Sequence, residues 1–388
     1  MNRRDFLKIL GMTPLIPYSA DLAFAASPQA NYRNLLVLLE LKGGNDGFNT
    51  VIPYADSEYY NLRPRIGIAR DQVLQLDSRT GFHPSLQALM PLWQNQELAI
   101  IQGVGYPAPN LSHFRSIEIW DTASSSSVYL PEGWLSRVFQ AVPPPRRFAA
   151  DGVIVGSQEM GPLSGADTRA VVLANAEQFL RQAKVTGNVQ SQTQTRNPAL
   201  EHILKVESDI RQAANNLTAN YAIKTDFPKS QLGNALKTAA QVIAGNGGVA
   251  VVKVTHNGFD THSNQPNIQA RLLKEMAEGL VAFKSALTEL NRWDSTLIMS
   301  YAEFGRRPKE NASNGTDHGT ANVHFMLGGK VKGGLYGKAP QLDQLESGNL
   351  VYGVDFRSLY ATAIEKWWGG NSAKALGGKF STLDVLKA

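Results

Sequence analysis

Asn34–Leu41 (NLLVLLEL) runs without a break into Lys42-Gly43-Gly44-Asn45-Asp46-Gly47. A near-continuous apolar run of this length, closed by a glycine pair, has the pattern of a strand buried on both faces inside a parallel sheet. Leu98–Val104 (LAIIQGV), Val249–Thr255 (VAVVKVT) and Ser295–Tyr301 (STLIMSY) repeat that texture. Helical patterns fall between and after them, at Ser85–Gln96, Leu200–Ala219, Ser230–Ala244, Asn267–Arg292 and Phe356–Trp367. Strands alternating with helices predict an α/β fold, a three-layer sandwich around a mostly parallel sheet.

The stretch from about 123 to 230 has a different texture, with Ser124–Ser127, Pro143–Pro145 and the polar Thr186–Pro198 (TGNVQSQTQTRNP). It reads as a helical and loop insertion, or cap, within one domain. The length of 388 residues permits one large domain or two ordinary ones, at roughly 100–200 residues each. No repeat on the 20–50-residue scale is visible.

Cysteine is absent, which excludes disulfides, thiolate metal sites, cysteine nucleophiles and a lipid-modified cysteine anchor. Any metal must rest on carboxylates and imidazoles. The net charge of +5 is small for the length and forms no run, so no nucleic-acid partner is expected.

Residues 1–25 read as an address. Arg3-Arg4-Asp5-Phe6-Leu7-Lys8 resembles a twin-arginine export signal, and Ala23-Phe24-Ala25 suits a signal-peptidase cut. Pro14, Pro17 and Asp21 interrupt the apolar part, leaving it too short to stay as a membrane span. The expectation is a periplasmic or secreted protein that meets the twin-arginine machinery. Residues 26–388 would then form the single mature domain, without a stable membrane span.

In open α/β sheets, ligands bind beyond the carboxyl ends of the strands. Polar clusters follow three of the expected strands there: Lys42–Gly47, Thr255–His262 and Tyr301–Arg307. A fourth, Gly315-Thr316-Asp317-His318-Gly319, lies shortly beyond. Asp46, Asp260, His262, Glu303, Asp317 and His318 would therefore meet at one edge. Crowded carboxylates repel unless a cation neutralises them. A mixed carboxylate and imidazole set suits a divalent ion, with Zn, Mn, Mg and Ca not distinguished. Each cluster alone also reads as an ordinary turn; their agreement on one edge is what points to a site.

Ser112-His113-Phe114-Arg115 follows the second strand. Ser112 is a candidate nucleophile at a helix start and equally a candidate N-cap. His113 is a candidate ligand, acid–base group or packed residue. Arg115, Arg306 and Arg307 offer planar forks for an oxyanion, with Arg306 or Arg115 preferred. His83 precedes a proline at a helix start, His202 sits in the expected cap, and His324 opens an apolar run and reads as a core histidine.

The motifs LKGGNDGFNTVIP, HPSLQALMPLW, LAIIQGVGYPAPNLSHFRS, GWLSR, GFDTHSNQ, EFGRRPKENASNGTDHG and VKGGLYG occur in order from about residue 33 to 340. Together they resemble the DUF1501 family of exported bacterial proteins, which is similar to the alkaline phosphatase/sulfatase superfamily. The resemblance implies an alkaline-phosphatase-like sandwich with metal ions at the strand ends. It maps the first aspartate to Asp46 and the nucleophile to Ser112. The superfamily's Asp-x-x-x-His metal pair becomes Asp260 and His262 at Asp-x-His spacing. Its later Asp-His pair maps either to Asp317-His318 or, by chain order, to Glu303 with His318; the second is preferred because Glu303 follows a strand. Ser112–Arg115 lacks the proline of the type I sulfatase motif, which argues against a formylglycine mechanism.

The implied activity is metal-dependent hydrolysis of a phosphate or sulfate ester, small or polymeric. The altered Asp-x-His spacing motivates a rival: an exported binding or assembly protein that keeps the fold without turnover. A carbohydrate-active reading rests only on Tyr59, Tyr60 and Trp134 as exposed aromatics.

Overall fold

The computed structural model describes residues 30–173, 222–245 and 247–387. The address at 1–25, the helix expected at Leu200–Ala219 and His202 lie outside the described residues. The strands used below are β1 (Leu35–Lys42), β2 (Leu98–Gly105), β3 (Gly152–Val155), β4 (Ala170–Leu173), β5 (Val251–Asn257) and β6 (Thr296–Tyr301). They continue with β7 (Arg306–Glu310), β8 (Thr316–His318), β9 (Asn322–Leu327), β10 (Gly334–Gly337) and β11 (Val354–Asp355). The principal helices are α1 (His113–Thr122), α2 (Trp134–Ala141), α3 (Gln231–Ala244), α4 (Gln265–Glu289) and α5 (Phe356–Ala361).

The central sheet has the order β10-β2-β9-β6-β1-β5-β3-β4, with β11 also paired to β2. Only β9 runs against its neighbours β2 and β6; the other pairings are parallel. The sheet is therefore mixed, mostly parallel, and flanked by helices on both faces. Alternation along β1 shows why the run is apolar throughout. Leu35, Val37, Leu39 and Leu41 pack into the core under α3 and α4, while Leu36 and Leu38 pack into the core under α1, α2 and α5. Burying each leucine contributes about 1.5–3 kcal/mol, so neither face tolerates a polar interruption that lacks a partner.

Glu40 is such an interruption, and its partner is Lys253 of β5. The two form an ion pair at 2.8 Å with both side chains 1% exposed. Thr255 donates to Glu40 Oε2 at 2.8 Å.

The 123–230 stretch departs from the helix-and-loop expectation. Among its described residues, β3 and β4 extend the main sheet beyond β5. Helix α2 buries Trp134, Leu135, Val138 and Phe139 against that sheet. The sequence GVIV of β3 is too short to show a period, which hid it. Trp134 and Tyr59 are buried and Tyr60 is half-buried, because they fill cores, so they offer no aromatic binding face. The helix expected over Ser85–Gln96 is a 3-10 turn, Pro84–Leu89, followed by a short α-helix, Met90–Gln94. Proline stands in the first turn of each. Among the described residues, no helix is long and apolar enough to cross a membrane.

In-register parallel pairing aligns the strand ends. Lys42 of β1 sits opposite Asn257 of β5, and Glu40 opposite Tyr301 of β6. The loops after β1, β5 and β6 thus leave from one edge. Strand β2, reversed twice through β9, delivers the start of α1 to that edge too.

Candidate metal centre

Glu303, just past β6, is 2% exposed. Its Oε1 accepts from Gly43 N at 2.9 Å and lies 2.8 Å from His113 Nδ1. A carboxylate accepts only, so His113 carries its proton on Nδ1 and presents the Nε2 lone pair. That Nε2 is buried without a hydrogen-bond partner and lies 3.5 Å from Asp260 Oδ2. His318 is fixed in the same sense. Its Nδ1 donates to the Leu111 carbonyl at 2.8 Å, leaving Nε2 3.4 Å from Asp260 Oδ1. Ligand atoms of His113, Asp260 and His318 all lie within 4.8 Å of one another. His262 borders the group, its Nε2 2.9 Å from His318 Nε2 and 3.1 Å from Asp260 Oδ1.

The loops close tightly around this cluster. Gly43 has φ +114, and a Cβ there would stand 2.3 Å from Asp260 N, so only glycine lets the two loops touch. Phe304 stacks against the rings of both His113 and His318, with centroids 4.8 and 4.5 Å away.

The electrostatics follow from these contacts. The Glu303 hydrogen bond raises the His113 pKa; the Glu303 and Asp260 charges add to it, against burial and Arg306. Burial lowers the His318 pKa, and the charges of Arg306, His113 and His262 add to this against the Leu111 bond. For Asp260, burial is the largest single influence and raises the pKa. The Arg306 hydrogen bond and charge, with His262 and His113, together overcome it and hold the carboxyl below its ordinary range.

Asp46 is not brought to this cluster. Its Oδ2 accepts from Arg63 Nη1 at 2.5 Å and Gln265 Nε2 at 2.5 Å, and its Oδ1 from Arg63 Nη2 at 3.0 Å and Phe48 N at 3.1 Å. The Asp46 and Arg63 side chains are both 0% exposed, so every accepting direction is filled from within the protein. Arg306 is also committed. Its guanidinium donates to the carbonyls of Gly43, Gly44, Phe259 and Thr316, and to Asp260 Oδ1 at 2.6 Å. It staples three loops together and leaves no fork for an oxyanion. Arg115 binds the carbonyls of Ser125, Ser126 and Val128 and lies 3.7 Å under the Tyr129 ring. Asp317, on β8, has a side chain 58% exposed and 3.6 Å from His262 Nδ1. Ser112 is exposed at the N-cap position of α1, and its hydroxyl makes no capping bond.

His83 and His324 lie apart from the cluster. His83 accepts from Ser85 N at 3.0 Å, and burial pushes its pKa down to about 4. His324 is wholly buried in β9, edge-on to Trp120, and burial pushes its pKa down to about 3.

The sequence reading passed over Arg63 and Gln265, whose positions gave no signal. It also passed over the Glu40–Lys253 pair, whose signal was a single opposite charge inside each of two apolar runs. A cavity of about 660 Å³ opens beside His113, Asp260 and Glu303. Its walls include Lys42, Phe114, Ile117, Asp121, Leu130, Pro131 and Gly161.

A family model described as "Protein of unknown function (DUF1501)" matches residues 73–369. No curated protein matches the chain. Among solved structures, the chain is similar to Ps i-CgsB at 11% identity and TM-score 0.42, covering 88% of this chain and 74% of that one. It is similar to the C-terminal periplasmic domain of EcEptC from Escherichia coli in complex with Zn, at 10% identity and TM-score 0.37, covering 78% and 76% respectively. It is also similar to alkaline phosphatase from the Antarctic bacterium TAB5, at 12% identity and TM-score 0.36, covering 77% and 92%. All three likenesses are distant.

Proposed function

The chain belongs to the DUF1501 family, and from its site we propose a metal-dependent hydrolase of phosphate or sulfate esters. One observation carries the reading. The Nε2 atoms of His113 and His318 face Asp260, each ring turned by a separate bond at Nδ1. Metal-binding histidines are oriented in this way, by an outer carboxylate or carbonyl. The buried, unpartnered Nε2 of His113 is the atom such an ion would satisfy. His113, Asp260 and His318 would hold it, with His262 at the border. When bound, a divalent ion supplies Lewis acidity, drawing charge from an ester oxygen and easing ionisation of a nucleophile.

The chain's own groups do the rest. Glu303 and the Leu111 carbonyl fix the two imidazoles, and Arg306 keeps Asp260 ionised and in place. Ser112 offers a hydroxyl one residue before His113, where the start of α1 favours an anion. The cavity takes the organic part of the ester; Lys42 at its wall is paired with Glu159 at 2.5 Å. We also propose export by the twin-arginine route, supported by Arg3–Lys8 and the Ala23-Phe24-Ala25 site.

The test is metal analysis of the purified protein together with aryl phosphate monoesters, phosphate diesters and sulfate esters as substrates. Near-stoichiometric divalent metal, lost in His318→Ala along with hydrolysis, is the expected outcome. Absence of metal, or hydrolysis unchanged in His318→Ala, refutes the reading. A non-catalytic metal-binding protein has one observation in its favour: the Arg306 fork is spent on carbonyls and Asp260. Bound metal without turnover of any ester class would select it.

A further inference from the structure

Phe114 and Tyr129 are the most exposed large apolar side chains among the described residues, at 89% and 72%, and Val128 beside Tyr129 is exposed as well. Single exposed apolar side chains are ordinary, whereas a group of them at the mouth of a cavity marks a binding surface. Phe114 directly follows His113 in α1 and lines the same cavity as His113 and Asp260. Leu130 and Pro131, which continue the Val128–Tyr129 stretch, line it too, and so does Ile117 on α1.

The loop that carries Val128 and Tyr129 joins α1 to α2 and is tied down along its length. Arg137 donates to the carbonyls of Thr122 and Glu132, one at each end. Arg115 donates to the carbonyls of Ser125, Ser126 and Val128, and its guanidinium lies 3.7 Å from the Tyr129 ring centre. Ser126 Oγ donates to the Ala108 carbonyl, ahead of α1, at 2.6 Å. Holding apolar side chains in water adds nothing to folding, because stabilisation comes from covering them. A surface fixed in advance does favour binding, since less freedom is lost when a ligand covers it.

The neighbours of Phe114 on the cavity wall decide the occupant. Ile117, Leu130 and Pro131 have no side-chain hydrogen-bonding group, so the wall suits a carbon skeleton and not a polyol. The cavity, about 660 Å³, has room for one. We infer that Phe114 is a specificity residue for the organic part of the substrate, which is an oxyanion ester of a bulky apolar alcohol. This rests on the hydrolase reading for the location of the ester.

The probes are 1-naphthylmethylphosphonate and methylphosphonate, which share a non-hydrolysable anionic group and differ in apolar bulk. Their binding to the metal-containing protein is measured by calorimetry, without reliance on turnover. The naphthyl probe is expected to bind at least about tenfold more tightly, as withdrawing roughly 60 Å² of apolar area from water would give. Phe114→Ser should cut that preference at least about threefold. It should leave methylphosphonate affinity and folding stability nearly unchanged, because the ring is exposed. Phe114→Trp should keep the preference. A wild-type ratio near one, or a ratio unchanged in Phe114→Ser, would overturn the inference. So would a different occupant of the same surface. Wild-type protein that sediments with phosphatidylglycerol vesicles, or that dimerises, through Phe114 and without a naphthyl preference would show one. A chelator separates the two readings. Methylphosphonate binding that the chelator abolishes, with no naphthyl preference, rejects the role of Phe114 and keeps the metal centre. Methylphosphonate binding that the chelator leaves intact rejects the hydrolase reading itself.

Discussion

Asp46 and Asp260 occupy matching places in the chain. Each follows a strand of the sheet centre, each sits in a glycine-containing loop, and both loops leave from one edge. Their surroundings are opposite. Asp46 is sealed, with Arg63 across both oxygens and Gln265 filling the remaining direction. Asp260 keeps 48% of its side chain exposed and looks onto imidazoles. A carboxylate at a strand end becomes a brace or a ligand according to what the other segments bring to it. Arg63 and Gln265 make a brace; His113 and His318 make the proposed site.

The strongest test of that contrast removes Arg63. Arg63→Met leaves Asp46 buried and without its counter-charge, and breaking a buried pair on one side costs about 3–5 kcal/mol. Arg63 also binds Asn49 Oδ1 and the Pro308 carbonyl, both at 2.7 Å, so β7 loosens as well. Chemical denaturation should show the loss, while the folded fraction keeps its metal. A stability change below about 1 kcal/mol would mean that Asp46 is not a brace.

A histidine near each carboxylate extends the comparison to pH. His83, which feels the Asp46 charge, is held near pKa 4 by burial, below the unfolded value of about 6.5. The unfolded chain therefore binds the extra proton first. Stability from this group is intact above about pH 6.5 and is lost as pH falls toward 4, by up to about 3 kcal/mol. His83→Gln should flatten that acid limb when denaturation is compared at pH 4.5 and 7.5. An unchanged acid limb would remove His83 from the account.

At the other carboxylate, Asp260→Asn keeps an acceptor for Arg306 and removes a ligand charge. Metal affinity should fall by more than about 100-fold, beyond the range of outer-shell changes. Unfolding free energy measured on metal-free protein should change by about 1 kcal/mol or less. Equal damage to folding and metal binding would erase the distinction between the two aspartates.

The sequence showed the strands plainly where burial on both faces makes a run apolar from end to end, as in β1, β2, β5 and β6. It hid β3 and β4, which are too short to carry a period. Strand-end reasoning preferred Glu303 to Asp317 as a ligand; Glu303 lies just past a sheet strand and bonds His113 Nδ1, while Asp317 sits on a hairpin beside His262. The fate of Asp46 was not readable. Its partners lie 17 and 219 residues away, and nothing local in Arg63 or Gln265 announces them. Arg306 was misleading for the same reason. A guanidinium beside acidic residues looks like an anion clamp until the fold surrounds it with carbonyls.

Glu303 offers the finest test, because it touches the proposed metal ligands only through His113. Glu303→Gln preserves shape and can still accept from Gly43 N and His113 Nδ1, so the fold and the ring orientation should survive. What goes is charge, and metal affinity should fall by about 10–100-fold. The pH dependence gives a second sign to check. In metal-free protein the raised pKa of His113 comes first from Glu303. Its stabilising contribution is present below the unfolded value of about 6.5 and fades as pH rises through the folded value. Metal-free Glu303→Gln should therefore lose stability at pH 6 and match the wild type near pH 9. Metal binding should move the other way. Protons compete for His113 less in the variant, so its binding curve, though weaker, should begin at lower pH. Both signs together require His113 to serve as proton acceptor and ligand at the same nitrogen pair, which a purely structural Glu303 does not predict.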